Sequence, residues 1–189
     1  DEDLLKNVIK ERKLEVSDNF RLLKKADVIL ICVPTPLKEH GELDLSFIEK
    51  ATQKISRNLK SPSLVILEST TYPGTTEEVV KTRLEAGGHC AEKDFFLGYS
   101  PERLDPGNEK FNIRNTTKIV SGINAKSRRL TRKFYETFVE KTYPVSETRT
   151  AEMAKLMENI FRSVNIAMVN EMAQICSRMG MDIYDVLKA

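Results

Sequence analysis

The chain has 189 residues, 40% hydrophobic and 31% charged, enough for one sizeable domain with an appendage. Its net charge is +2, and Lys and Arg are mixed with Asp and Glu throughout, so composition gives no electrostatic case for nucleic acid or a membrane surface. No stretch approaches the ~20 apolar residues of a membrane span. The start (Asp1, Glu2, Asp3) is acidic, opposite in charge to a signal peptide. Cys32, Cys90 and Cys176 lie far apart without a CxxC pattern, and His40 and His89 lack partner ligands at metal spacing. A cytoplasmic protein with reduced thiols and no metal site is expected.

Residues 1–11 carry Leu4, Leu5, Val8 and Ile9 at helical spacing. Ser17 and Asp18 are cap residues for a short helix through Leu23. Val28 to Val33 is apolar at every position and ends at Pro34, the pattern of a strand buried on both faces in a parallel sheet. A helix is predicted from Asp44 or Ser46 to about Leu59, a second buried strand at Leu64–Leu67, and a helix over 74–86 stopped by Gly87-Gly88. Short strands follow at Phe95–Leu97 and Lys118–Val120, then a helix over 126–139 and an extended piece at Thr142–Pro144. This alternation predicts βαβ units, an α/β fold with a doubly wound sheet.

From Ala151 to Met179 there is neither Pro nor Gly, and apolar residues cover most of the helical circumference. Such a helix is expected to be buried on several sides. At about 30 residues it runs ~45 Å, long for one domain. It suits a bridge between domains or packing against a second subunit. Gly180 ends it, and Asp182 is placed to cap a further short helix.

Ligands of an open parallel sheet bind outside the carboxyl ends of its strands. Three segments leave strand ends with unusual composition. In Cys32-Val33-Pro34-Thr35-Pro36, Thr35 is held between two prolines, as a ligand contact or as a satisfied turn residue. In Glu68-Ser69-Thr70-Thr71-Tyr72-Pro73-Gly74-Thr75, the hydroxyls suit an oxygen-rich ligand or ordinary helix caps. The third, Tyr99 through Asn108, contains the pair Glu102-Arg103 beside two prolines, in a site loop or a surface ion pair. On the long helix, Lys155, Asn159 and Arg162 stand at i, i+4 and i+7. A Lys and an Asn one turn apart, taken as buried, present donors that suit an oxygen gaining negative charge. The alternative is a snorkelling Lys and a structural Asn.

The segments Ala26-Asp27-Val28 to Pro36, Ser69 to Thr75, Ser100-Pro101-Glu102-Arg103 and Ala151 to Asn159, in this order and spacing, resemble the UDP-glucose/GDP-mannose dehydrogenase family over essentially the whole chain. The resemblance implies a Rossmann-like NAD-binding domain, a long central dimerisation helix and a UDP-binding domain. Mapped here, it implies the C-terminal part of the NAD domain over 1–146, without its first βαβ unit, and the start of the central helical domain over 147–189. A homodimer would form through the 151–179 helix.

The implied activity is oxidation of a UDP-sugar C6 alcohol to the acid in two hydride transfers to NAD, with capture of the aldehyde by a cysteine. Thr35 would contact NAD, and Thr70 would contact NAD and help hold the catalytic water. Glu102 would sit near the nicotinamide, contact substrate and assist hydrolysis. Arg103 would position the substrate, and Lys155 and Asn159 would bind it and steady the oxyanion at C6. The segment Ser100-Pro101-Glu102-Arg103-Leu104-Asp105-Pro106-Gly107-Asn108, with Lys118-Ile119-Val120-Ser121-Gly122 downstream, is most similar to the UDP-N-acetylglucosamine 6-dehydrogenase branch; UDP-glucose enzymes usually have an Asn-Pro-Glu-Phe type of loop there. The product would serve surface-polysaccharide synthesis.

Two of the family's parts have no counterpart in this sequence. The Gly-rich phosphate loop would precede Asp1, and the nucleophilic cysteine would follow Ala189; Cys32, inside a strand, Cys90 and Cys176 all lack its setting. A fragment that is inactive alone and weak toward NAD is therefore expected. The other readings are a UDP-glucose or UDP-N-acetylmannosamine dehydrogenase, another 6-phosphogluconate-type enzyme, or a non-catalytic dimerisation or cofactor-sensing module.

Overall fold

The computed structural model describes residues 2–104, 107 and 110–189. Asp105, Pro106 and Asn108, part of the third loop, lie outside the described residues.

Five strands form one sheet in the order β1 (Val28–Ile31), β2 (Ser63–Leu67), β3 (Phe95–Tyr99), β4 (Lys118–Gly122) and β5 (Thr142–Pro144). The two central strands are buried at every position, which is why they are apolar without alternation. Val65, Leu67, Phe95, Leu97, Tyr99 and Ile119 point to the face covered by α2 (Ser46–Asn58) and by the helical segment 76–86. Leu64, Ile66, Phe96 and Val120 point to the other face, under α4 (Ala125–Tyr135). Alternate residues thus fill two separate cores.

The sheet is not wholly parallel. β1, β2 and β3 run together, and β4 pairs antiparallel with β3, Gly98 opposite Gly122 and Tyr99 opposite Ser121. β5 then runs parallel to β4. The reversal brings the start of β4 to the edge where β1–β3 end.

Local differences from the sequence expectations have physical causes. The first short helix is a 3-10 turn over Phe20–Lys25, capped by Asn19, whose side chain accepts from the Arg21 amide, and not by Ser17 or Asp18. The predicted helix over 74–86 begins as a π-helical stretch, Thr76–Lys81, and continues as α3 (Thr82–Ala86). β1 is an edge strand: Ile29 and Ile31 are buried, but Leu30, on the α4 side, is 40% exposed. It is therefore not buried on both faces. Cys32 falls just beyond that strand and not within it.

The long helix α5 runs Thr148–Arg178, and α6 (Ile183–Lys188) is capped by Asp182. Burial on several sides does not hold: within the described chain only Thr148, Ala151, Glu152 and Cys176 of α5 are buried. The amphipathic α1 (Glu2–Lys10) has no buried residue. No helix among the described residues is long and apolar enough to cross a membrane.

Candidate functional site at the strand-end edge

Short bonds tie the first two loops together where β1 and β2 end. The Ser69 hydroxyl donates to the Val33 carbonyl at 2.7 Å and accepts from the Val33 amide at 3.0 Å. The Thr35 hydroxyl donates to the Thr70 carbonyl at 2.8 Å. Thr35 and Thr70 are thus neighbours, both half-buried. The Thr70 hydroxyl makes no hydrogen bond among the described residues. That unspent hydroxyl, at the mouth of two parallel strands, fits contact with a polar ligand such as a dinucleotide.

The third loop joins this edge through residues that sequence reasoning missed. Lys118, at the start of the reversed strand β4, places Nζ 3.0 Å from Glu68 Oε1 and 3.4 Å from Glu102 Oε2. Glu68 also accepts from the Tyr135 hydroxyl and, at 3.2 Å, from the Cys32 thiol. The Lys118 ammonium lies 5.1 Å from the centroid of the Tyr135 ring, a cation–π contact. Loss of water around the sulfur, with Glu68 beside it, pushes the Cys32 thiol up to about 12, which leaves it protonated and a poor nucleophile. Burial, with Glu68 alongside, also raises the Tyr135 phenol.

Glu102 turns Oε1 to its own loop, accepting from the Arg103 and Leu104 amides at 2.6 Å each. Burial pushes its carboxyl up, but the Leu104 amide, the Lys118 charge and the Arg103 amide outweigh that, and the group sits below the usual carboxylate range. Arg103 swings the other way. Its guanidinium meets Glu158 of α5 at 2.5 and 3.1 Å and donates to the Thr117 carbonyl at 3.0 Å. A forked guanidinium on a carboxylate fixes the loop to the helix with defined geometry.

Lys155 lines a groove of ≈ 440 Å³ with Arg103, Glu158, Phe161 and Arg162. The expectation of a buried Lys155/Asn159 pair needs correction, because both are only half-buried. Among the described residues neither side chain makes a hydrogen bond or ion pair. Burial lowers the Lys155 ammonium below its ordinary value, with Arg162 and Arg103 adding to this and Glu158 and Glu102 opposing it. Asn159 stands one turn further along the helix and does not line the groove.

Glu152, fully buried, ties α5 to the turn after β2. Its carboxylate accepts from the Gly74 amide at 2.6 Å, the Thr76 amide at 2.8 Å and the Thr76 hydroxyl at 2.6 Å. Gly74 has φ +107, and a Cβ there would meet Glu78 Oε1 at 2.7 Å, so the turn that aims its N–H needs glycine. Thr148 adds a hydrogen bond to Glu77 at 2.8 Å. Glu152 therefore links the loop of Thr70 to the helix of Lys155.

The strand-end edge thus gathers Thr35, Thr70, Glu102 and Arg103, with Lys155 beside the last two. Lys118 carried one weak signal, a charged residue opening an apolar strand. Glu152 carried another, an acid next to a buried Ala151 near the start of an apolar helix. Glu68, Tyr135 and Glu158 carried none. No group of three or more His, Cys, Asp or Glu among the described residues is arranged to hold a metal ion.

A mostly parallel sheet sandwiched by helices, with hydroxyls and charges at the strand ends and a long helix carrying Lys155 beside that edge, is the architecture of a Rossmann-type dehydrogenase. Residues 1–139 match the NAD-binding domain of the UDP-glucose/GDP-mannose dehydrogenase family, and residues 149–189 match that family's central domain. The chain belongs to this family.

A UDP-N-acetyl-D-glucosamine 6-dehydrogenase of Pseudomonas aeruginosa is 41% identical over 179 residues, covering 94% of the chain and 42% of the relative. The solved structure of a UDP-D-ManNAc dehydrogenase from Pyrococcus horikoshii is 37% identical with a TM-score of 0.90, covering 97% of this chain and 44% of that one. A ternary complex of GDP-mannose dehydrogenase from Pseudomonas aeruginosa is 27% identical with a TM-score of 0.88, covering 99% and 44%. The chain thus spans less than half the length of these relatives.

Proposed function

We propose that the chain is the cofactor-side part of an NAD-dependent UDP-sugar 6-dehydrogenase, which oxidises the C6 alcohol of UDP-N-acetylglucosamine to the uronic acid in two hydride transfers for surface-polysaccharide synthesis in the cytoplasm. The observation that carries the reading is the set of unspent polar groups: among the described residues the Thr70 hydroxyl, the Lys155 ammonium and the Asn159 amide are half-buried without partners, while Arg103 and Glu102 near them are paired with Glu158 and Lys118. Half-buried donors left free in a charged setting suit a polar ligand that completes them.

In this reading Thr35 and Thr70 hold NAD, which supplies the hydride acceptor. Thr70 also holds a water, and Glu102, ionised, assists that water in the hydrolytic step. Arg103, braced by Glu158, orients the sugar nucleotide. Lys155 and Asn159 donate to the C6 oxygen as it gains negative charge. Covalent capture is assigned to none of the three cysteines: Cys32 is protonated on Glu68, Cys176 is buried, and Cys90 lies on the loop after α3. The NAD-binding part covers 1–146 and the central helical part starts at 147. The exposed apolar residues of α5, among them Phe161 at 70%, pair with a second copy to form a homodimer.

UDP-N-acetylmannosamine is the competing substrate, because relatives of similar identity are named for each sugar. The full-length protein encoded by the reading frame, given NAD and in turn UDP-N-acetylglucosamine, UDP-N-acetylmannosamine and UDP-glucose, is expected to form NADH fastest with the first. NADH formation with none of the three refutes the reading. Faster formation with the mannosamine or glucose substrate moves the assignment to that sugar.

A further inference from the structure

The antiparallel turn of the sheet at β4 has a chemical consequence. It delivers a lysine to an edge made of strand ends. A lysine that opens a strand ordinarily extends its ammonium into water. Lys118 is 6% exposed instead. Withdrawing an ammonium from water is expensive unless several groups meet it, and here two carboxylates and an aromatic face do so.

The two carboxylates are not equivalent. Glu68 is itself held, by the Tyr135 hydroxyl and the Cys32 thiol. It is a fixed anchor inside the sheet edge. Glu102 is on a loop, and its Oε1 is committed to two amides of that loop. Among the described residues its Oε2 has one charged partner, Lys118, at 3.4 Å. Control therefore runs outward, from the anchored Glu68 through Lys118 to Glu102.

We infer that Lys118 is a positioning residue: braced by Glu68, its ammonium fixes the orientation and the charge of the Glu102 carboxylate at the mouth of the site. This rests on the role given to Glu102 in the proposed function. The charged and titratable groups facing Glu102 are Lys118 from β4, Lys155 from α5 and Cys32 beyond β1, with Glu68 behind the lysine. Lys118 is the cation in contact. Without it, burial of Glu102 would be opposed chiefly by the loop amides, and the carboxyl would rise. The protonated form would then persist to higher pH. A step that needs the carboxylate would lose its acidic side.

The test uses the full-length protein labelled with 13C at the glutamate carboxyls, the Glu102 signal being identified by its loss in Glu102→Gln. In Lys118→Met the titration midpoint of Glu102 is expected to rise by about one pH unit, and Lys118→Arg is expected to restore it. If the wild type oxidises a UDP-sugar, the acid limb of its pH–rate profile should move by the same amount in Lys118→Met. Should Lys118→Met not fold, Lys118→Gln, which keeps a polar donor in the pocket, carries the same expectation. An unchanged Glu102 midpoint in a folded, uncharged variant overturns the inference, because a merely structural lysine would lower stability and leave Glu102 alone. A wild type without dehydrogenase activity would sink the proposed function, but the carboxyl titration would still decide the role of Lys118.

Discussion

Residues 148–159 and 160–178 belong to the same helix, α5, but meet different surroundings. In the first stretch Thr148, Ala151 and Glu152 are buried, and the side chains of Thr148, Arg149 and Glu152 reach the 74–78 turn. In the second only Cys176 is buried, while Ile160, Phe161, Val164 and Ile166 are each more than half exposed. Both stretches are rich in apolar residues, so hydrophobicity alone does not separate them. The difference is polar. The first stretch carries a carboxylate whose hydrogen bonds are satisfied at one place in the fold, and that place sits between the Thr70 loop and Lys155. The second carries an apolar surface that any complementary apolar face satisfies. In the proposed function the anchored half sets geometry for chemistry, and the open half supplies area for association.

Removing the anchor is the most drastic way to break this contrast. Glu152→Ala strips the Gly74 and Thr76 amides of their acceptor inside the protein. A loss of about 3 kcal/mol in unfolding free energy is expected by denaturant titration. A loss under about 0.5 kcal/mol, the size of an ordinary surface change, would mean that the anchor is decorative. The open half should respond differently. Phe161→Glu, placed on the exposed face, is expected to weaken self-association by about 2 kcal/mol in sedimentation of the full-length protein. In the separated monomer it should cost under about 0.5 kcal/mol. Unchanged association would remove the proposed homodimer from this face.

The sequence made the central strands legible because β2 and β3 are apolar at every residue, and burial on both faces leaves few other solutions. It did not show the direction of β4. Strand direction leaves no trace in apolar periodicity, and Gly98 opposite Gly122 is a tertiary pairing. The edge position of β1 was also hidden, because exposure of Leu30 depends on what α4 reaches. The site shows the same division. Thr35, Thr70, Glu102, Arg103, Lys155 and Asn159 stand in short motifs whose order resembles a family, so they could be singled out. Glu68, Lys118 and Tyr135 are up to 67 residues apart and become one cluster only when the sheet forms. The half-burial of Lys155 was overstated as burial, because the apolar neighbours of α5 face outward.

The central claim of the proposed function is that the Lys155 ammonium, in the groove beside Arg103, acts on the oxygen that changes during reaction. It is tested most directly by NADH formation from UDP-N-acetylglucosamine in the full-length protein carrying Lys155→Ala. Because Lys155 makes no ion pair among the described residues, its loss should leave the unfolding free energy within about 1 kcal/mol of wild type. Turnover should fall by about 100-fold or more, the effect of deleting a donor to a developing oxyanion. Wild-type turnover in a folded Lys155→Ala protein would contradict the account.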